Sequence, residues 1–78
     1  MKIGFVTGSV WFTRKAPCLS GQTFLTVKTE DETFVAADYV GAGAGDRVLL
    51  ITGSAATRYC MEAPVDAAVV AIMDGKEE

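Results

Sequence analysis

Polar and apolar residues along this chain change places mostly at every second position, the period of a β-strand whose side chains alternate between two faces. The opening stretch from Lys2 to Phe12 sets Ile3, Phe5 and Trp11 on one parity and Val6, Val10 and Phe12 on the other. Apolar groups on both faces predict a strand with a core on one side and a neighbour on the other. Gly4 and Gly8 let such a strand coil sharply, as a small barrel needs. Trp11 stands at its end, a place where an aromatic serves a core or an interface more often than a ligand. Thr13 to Gln22 reads as a loop, with Pro17 unable to donate to a ladder and Ser20-Gly21 favouring a turn.

The alternation resumes at Thr23-Phe24-Leu25-Thr26-Val27-Lys28 and, past the charged turn Thr29 to Glu32, at Thr33 to Val40. The two runs predict a β-hairpin. Next comes a side-chain-poor segment, Gly41-Ala42-Gly43-Ala44-Gly45, then a strand from Arg47 to Thr52. Gly53-Ser54-Ala55 opens one or two helical turns, with Ser54 as the expected N-cap and a modest anion-binding candidate. Met61 to Pro64 breaks that helix, and Val65 to Asp74 is the last strand. Its middle is continuously apolar, so cover on both faces is expected. Residues 74–78 form a polar tail. Five strands with one short helix between the fourth and fifth predict an all-β, OB-like barrel spanning residues 1–78 as one domain.

The glycine segment raises the question of a nucleotide. Phosphate-cradling glycines lie between a strand and a helix, whereas Gly41, Gly43 and Gly45 are followed by an apolar strand. The spacing is G-x-G-x-G, with no Walker lysine behind it, so a tight connection is the better reading. Glu30, Asp31 and Glu32 sit on a hairpin tip, where carboxylates are solvated and not tuned for acid–base work. Arg14-Lys15 is a small basic spot on a loop. With no histidine in the chain, serine and cysteine lack their commonest general base. Cys18 and Cys60 are far apart without a C-x-x-C pair, so no zinc set arises, and both are expected to be reduced. Function is therefore expected to be geometric, with no catalytic residue, metal or cofactor.

Composition sharpens this. Half of the 78 residues are apolar and 22% are charged, more oil than a lone chain of this length hides well. With metal and disulfide set aside, self-association is the remaining way to stabilise it. No apolar run reaches the ~20 residues of a membrane helix. A net charge of −3 argues against a phosphate-driven nucleic-acid binder. The expectation is a soluble, intracellular, self-associating domain without nucleic acid or membrane.

Four stretches, in order, carry a resemblance to a known family. They are Lys2-Ile3-Gly4-Phe5-Val6-Thr7-Gly8-Ser9-Val10, then Thr13-Arg14-Lys15 with Leu19, Gly21 and Leu25-Thr26-Val27, then Ala37 to Gly45, and Pro64-Val65-Asp66-Ala67-Ala68-Val69-Val70. They follow the first strand, the T-x-K…L-x-G…L-x-V pattern, the A-V-D-x-V-G-A-G-x-G segment and the P-V-D-A-A-V-V segment of the EutN/CcmL family. The chain resembles these vertex proteins of bacterial microcompartment shells nearly end to end. It departs from the usual G-S-S-A-R, with Ala55 for the second serine, and with Thr57 for arginine followed by Arg58; Ala71 stands where glycine is common.

The resemblance implies a structural protein: a barrel assembling as a cyclic homo-pentamer at shell corners, beside neighbouring hexameric shell proteins, in the cytoplasm. A second hairpin loop shorter than in many carboxysomal relatives favours a catabolic shell. It places Gly41, Ala42, Gly43, Ala44 and Gly45, with Gly53, Ser54 and Ala55, near the subunit contact or the five-fold opening. Asp38 and Asp66 are then expected to fix these loops by bonding their backbone. The alternatives are an OB-like binding module for a small anion or single-stranded nucleic acid, and a small enzyme or accessory subunit acting on a compartment metabolite.

Overall fold

The computed structural model describes residues 1–60 and 63–74; Met61, Glu62 and the part of the expected tail beyond Asp74 lie outside them. Strands β1 (Lys2–Val10), β2 (Phe24–Lys28), β3 (Thr33–Asp38), β4 (Arg47–Thr52) and β5 (Ala67–Ile72) close a barrel in the order β1-β2-β3-β5-β4. Helix α1 (Gly53–Tyr59) links β4 to β5, and a single 3-10 turn, Pro17–Leu19, interrupts the loop after β1. This is the OB-like barrel the alternation implies. All neighbouring strands are antiparallel except β3 and β5, which run parallel through Ala37↔Ala68 and Asp38↔Val69.

Consecutive residues on several strands belong to two different cores. Leu25, Val27, Ala36, Val48, Leu50, Ala67 and Val69 fill the barrel with Val6. Phe24, Ala37 and Ala68 point the other way, onto an outer layer made by Cys60, Ala63 and Val65 from the chain after α1. The alternation Phe24/Leu25, Ala36/Ala37 and Ala67/Ala68 is the strand period sorting side chains between layers. The apolar run of β5 follows from this over Ala67, Ala68 and Val69, which are buried, with Val70 packed on the outer layer and Ile72 exposed at the strand's end.

β1 serves two partners. Lys2 to Phe5 pair with β4 while Phe5 to Val10 pair with β2, with a shift of register between Val6 and Gly8. The extra residue is Thr7, whose hydroxyl lies 2.8 Å from that of Thr26. Bulges of this kind bend a strand and increase its twist, which is what barrel closure demands of the first strand.

Element ends differ from the sequence reading for local reasons. β1 stops at Val10, short of Phe12, because Phe12 turns onto Phe24 in an edge-to-face contact, centroids 5.7 Å apart. β3 stops at Asp38, short of Val40, because the Asp38 carboxylate takes over the following backbone N–H groups. β5 is confined to Ala67–Ile72 within the expected Val65 to Asp74. The expected N-cap at Ser54 is replaced by Thr52: Gly53, with φ of 61°, turns the corner itself and leaves Ser54 in the first turn.

Candidate functional site

The glycine segment is built from its two flanking aspartates inward. Asp38 Oδ1 accepts from the N–H groups of Val40, Gly41 and Ala42 at 3.1, 3.2 and 3.3 Å. At the other end Asp46 Oδ2 accepts from the Gly43 N–H at 2.8 Å, while the Asp46 N–H donates to the Gly43 carbonyl at 3.0 Å. A carboxylate gathering several backbone donors is the local alternative to a ladder that aspartate offers at strand ends. Gly41 and Gly45, at φ of 76° and 92°, take the left-handed turns that a side chain resists.

The segment is also tied to β1. The Gly45 N–H donates to the Val6 carbonyl at 2.8 Å and the Val6 N–H to the Asp46 carbonyl at 2.9 Å. Ala42 packs against the barrel core, whereas Gly41, Gly43, Ala44 and Gly45 are exposed. The result is a fixed loop that presents bare backbone to the outside. Asp46 was missed in the sequence reading, although its place immediately after the last glycine is the signal for a carboxylate that closes the turn.

Gly53, Ser54 and Ala55 do not join this loop. They follow the C-terminal end of β4, about 17 Å of strand away from Arg47 at the five-step rise of a strand. There the Gly53 N–H donates to the main-chain carbonyl of Asp66 at 2.9 Å, and the Thr57 hydroxyl donates to the Ser54 carbonyl at 3.0 Å. The Asp66 carboxylate is exposed and makes no hydrogen bond among the described residues. Asp38→Ala should therefore cost about 0.5–1.5 kcal/mol of stability by removing an acceptor shared by three backbone N–H groups, two of them open to water. Asp66→Ala should stay within about 0.5 kcal/mol. Chemical denaturation of the two variants side by side checks the contrast.

The acidic tip of the β2–β3 hairpin is held by Thr29, whose hydroxyl donates to the Glu32 carbonyl at 2.9 Å and accepts from its N–H at 3.2 Å. Glu30, Asp31 and Glu32 remain exposed. Among the described residues there is no group of three metal-ligating side chains and no helix long and apolar enough to cross a membrane.

The outside of the barrel is unusually oily. Trp11 is 89% exposed, and Ile3, Phe5, Val35 and Tyr59 are each about half exposed. Tyr39 and Tyr59 meet edge to face, centroids 5.1 Å apart, with Val40 beside them in the chain. A surface of this kind is one that another protein covers.

The chain matches the family described as "Ethanolamine utilisation protein EutN/carboxysome" over residues 1–74. It belongs to the EutN/CcmL family. Among EutN/CcmL relatives, the carboxysome shell vertex protein CcmL of Synechococcus elongatus is 48% identical, across 95% of this chain and 84% of CcmL. The bacterial microcompartment shell vertex protein PduN of Salmonella typhimurium is 40% identical, across 95% of this chain and 96% of PduN. The barrel superposes on the pentameric shell protein MSM0273 from the RMM microcompartment with a TM-score of 0.87 at 32% identity, covering 100% of this chain and 95% of that one.

Proposed function

We propose that this chain is a corner piece of a bacterial microcompartment shell, a single barrel domain that closes into a ring of five and is flanked by hexameric shell tiles in the cytoplasm. The observation that carries the reading is end-to-end likeness to a pentameric shell protein, joined to an outer surface too apolar for a lone chain. Flat six-fold tiles cover a plane but cannot close a polyhedron, so corners need a five-fold unit. The role asks for shape and adhesion. It requires no activated nucleophile, cofactor or nucleic acid.

The fixed glycine loop suits such a role. Its backbone is set by Asp38 and Asp46 before any partner arrives, so little ordering is left for assembly to bear. The short second hairpin loop is what favours a catabolic shell; the share of each relative covered does not separate the kinds, since the chain spans 84% of CcmL and 84% of EutN alike.

Co-expression with hexameric shell proteins, followed by electron microscopy, tests the role. Closed polyhedral particles are expected with this chain, and sheets, tubes or open-ended shells without it. Equal closure in both cases would sink the proposal.

A further inference from the structure

We propose that the barrel opens and recloses at the seam between β3 and β5 while the rest of the fold stays intact, and that Cys60, Ala63 and Val65 form the latch that holds it shut. The device belongs to the single barrel and is separate from the ring reading above. The seam is the thinnest joint of the closed sheet. β1 and β2, β2 and β3, and β4 and β5 are each joined by five residue pairs, and β1 and β4 by four; β3 meets β5 through two, Ala37↔Ala68 and Asp38↔Val69. It is also the parallel joint, a pairing slightly weaker per residue than the antiparallel kind. The Tyr39 N–H extends it by a bond of 3.2 Å to the Val69 carbonyl.

Side chains add little at this joint. Its register brings Ala36 and Ala37 of β3 beside Ala67 and Ala68 of β5, all four buried. A methyl group buries far less apolar surface than the larger side chains paired elsewhere, such as Val6↔Val27 and Leu50↔Val69. Closure therefore depends on what lies over the joint. Phe24 of β2 and Ala37 of β3 on one side, and Ala68 of β5 on the other, share one buried cluster with Cys60, Ala63 and Val65.

Among the described residues, the backbone bonds of the latch are local: the Cys60 N–H donates to Ala56, the Ala63 N–H to Cys60 and the Val65 N–H to Ala63. None reaches β2 or β3, so apolar packing alone holds the latch down. Parting the seam then leaves β3-β2-β1-β4-β5 as one antiparallel sheet with its four other ladders untouched. Local openings of this kind require less free energy than global unfolding.

The chain carries its own reporters. Cys18 is exposed whereas Cys60 is 3% exposed, so a thiol reagent should take Cys18 at once and Cys60 only when the latch lifts. Pulsed alkylation of the wild-type protein with N-ethylmaleimide, read by mass spectrometry, should label Cys60 at a rate that changes little in low urea, because seam opening exposes little surface. The Tyr39 amide should exchange its hydrogen with the same shallow urea dependence. Val65→Ala trims the latch and should speed Cys60 labelling about tenfold or more. Val6→Ala, in the barrel core on β1 and away from the seam, should lower the urea midpoint and leave low-urea labelling unchanged.

Cys60 labelling that follows the full unfolding slope from the lowest urea, or equal acceleration by both variants, overturns the proposal. So does a Tyr39 amide as protected as those of the β1–β2 ladder, since the latch would then lift without parting the seam. Should circular dichroism show either variant unfolded, the urea dependence of Cys60 and Tyr39 in the wild type decides.

Discussion

Leu50→Ala is expected to destabilise the protein by about 2–5 kcal/mol, enough to unfold most of it in isolation at room temperature. Leu50 is fully buried at the centre of the barrel, on β4 between Lys2 of β1 and Val69 of β5. Its removal leaves a hole that Val6, Val27 and Val69, stiff β-branched side chains in the same core, are poorly able to refill. Because folding and assembly are linked, the loss should also make the melting temperature depend more steeply on protein concentration. Thermal melts at two concentrations, wild type against variant, measure both effects. A loss below about 1 kcal/mol would mean that the barrel interior is not where the stability lies.

Gly4→Ala is the second large effect, at about 1–3 kcal/mol from a single added methyl. A Cβ at Gly4 would stand 2.6 Å from Val27 Cγ1 and 3.0 Å from the Lys28 carbonyl oxygen. Neither can yield cheaply, one being a fully buried branched side chain and the other backbone. The crowding arises because β1 passes from β4 to β2 at this point, Phe5 pairing with both Arg47 and Lys28. Gly8→Ala is the control: its Cβ would meet only the Thr26 hydroxyl, at 3.7 Å, an ordinary contact. Urea denaturation should separate the two glycines clearly. Equal effects would show that β1 does not need its close approach to β2.

Much of the barrel was legible because strand periodicity leaves a direct trace. The doubled alternation of Lys2 to Phe12 announced a strand with two apolar sides, and the unbroken Val69-Val70-Ala71-Ile72 run announced cover on both faces. The structure assigns that cover differently in the two cases. For Ala68 and Val70 of β5 it comes from within the chain, at Cys60, Ala63 and Val65, and Val10 at the end of β1 shares it; Ile3 and Phe5 of β1 and Ile72 of β5 stay about half exposed. Sequence pattern reports that a face is apolar and carries no record of who covers it.

The loops were less legible. That Gly41 to Gly45 is a tight connection followed from composition, but its fixation by Asp38 and Asp46 depends on which backbone N–H groups turn toward each carboxylate. Serine usually takes the helix cap, which points to Ser54; a left-handed Gly53 puts the cap two residues earlier, at Thr52. The sequence leaves open which of Gly41 to Gly45 and Gly53-Ser54-Ala55 serves the subunit contact and which the five-fold opening, two segments joined by β4. They occupy its opposite ends.

The account depends on the barrel being completed by its own copies. Native mass spectrometry of the wild-type protein across a dilution series from micromolar downward tests this most directly. The predicted result is a species at five times the 8.2 kDa chain mass, passing to single chains only on dilution. A folded, monodisperse single chain at every concentration would contradict it.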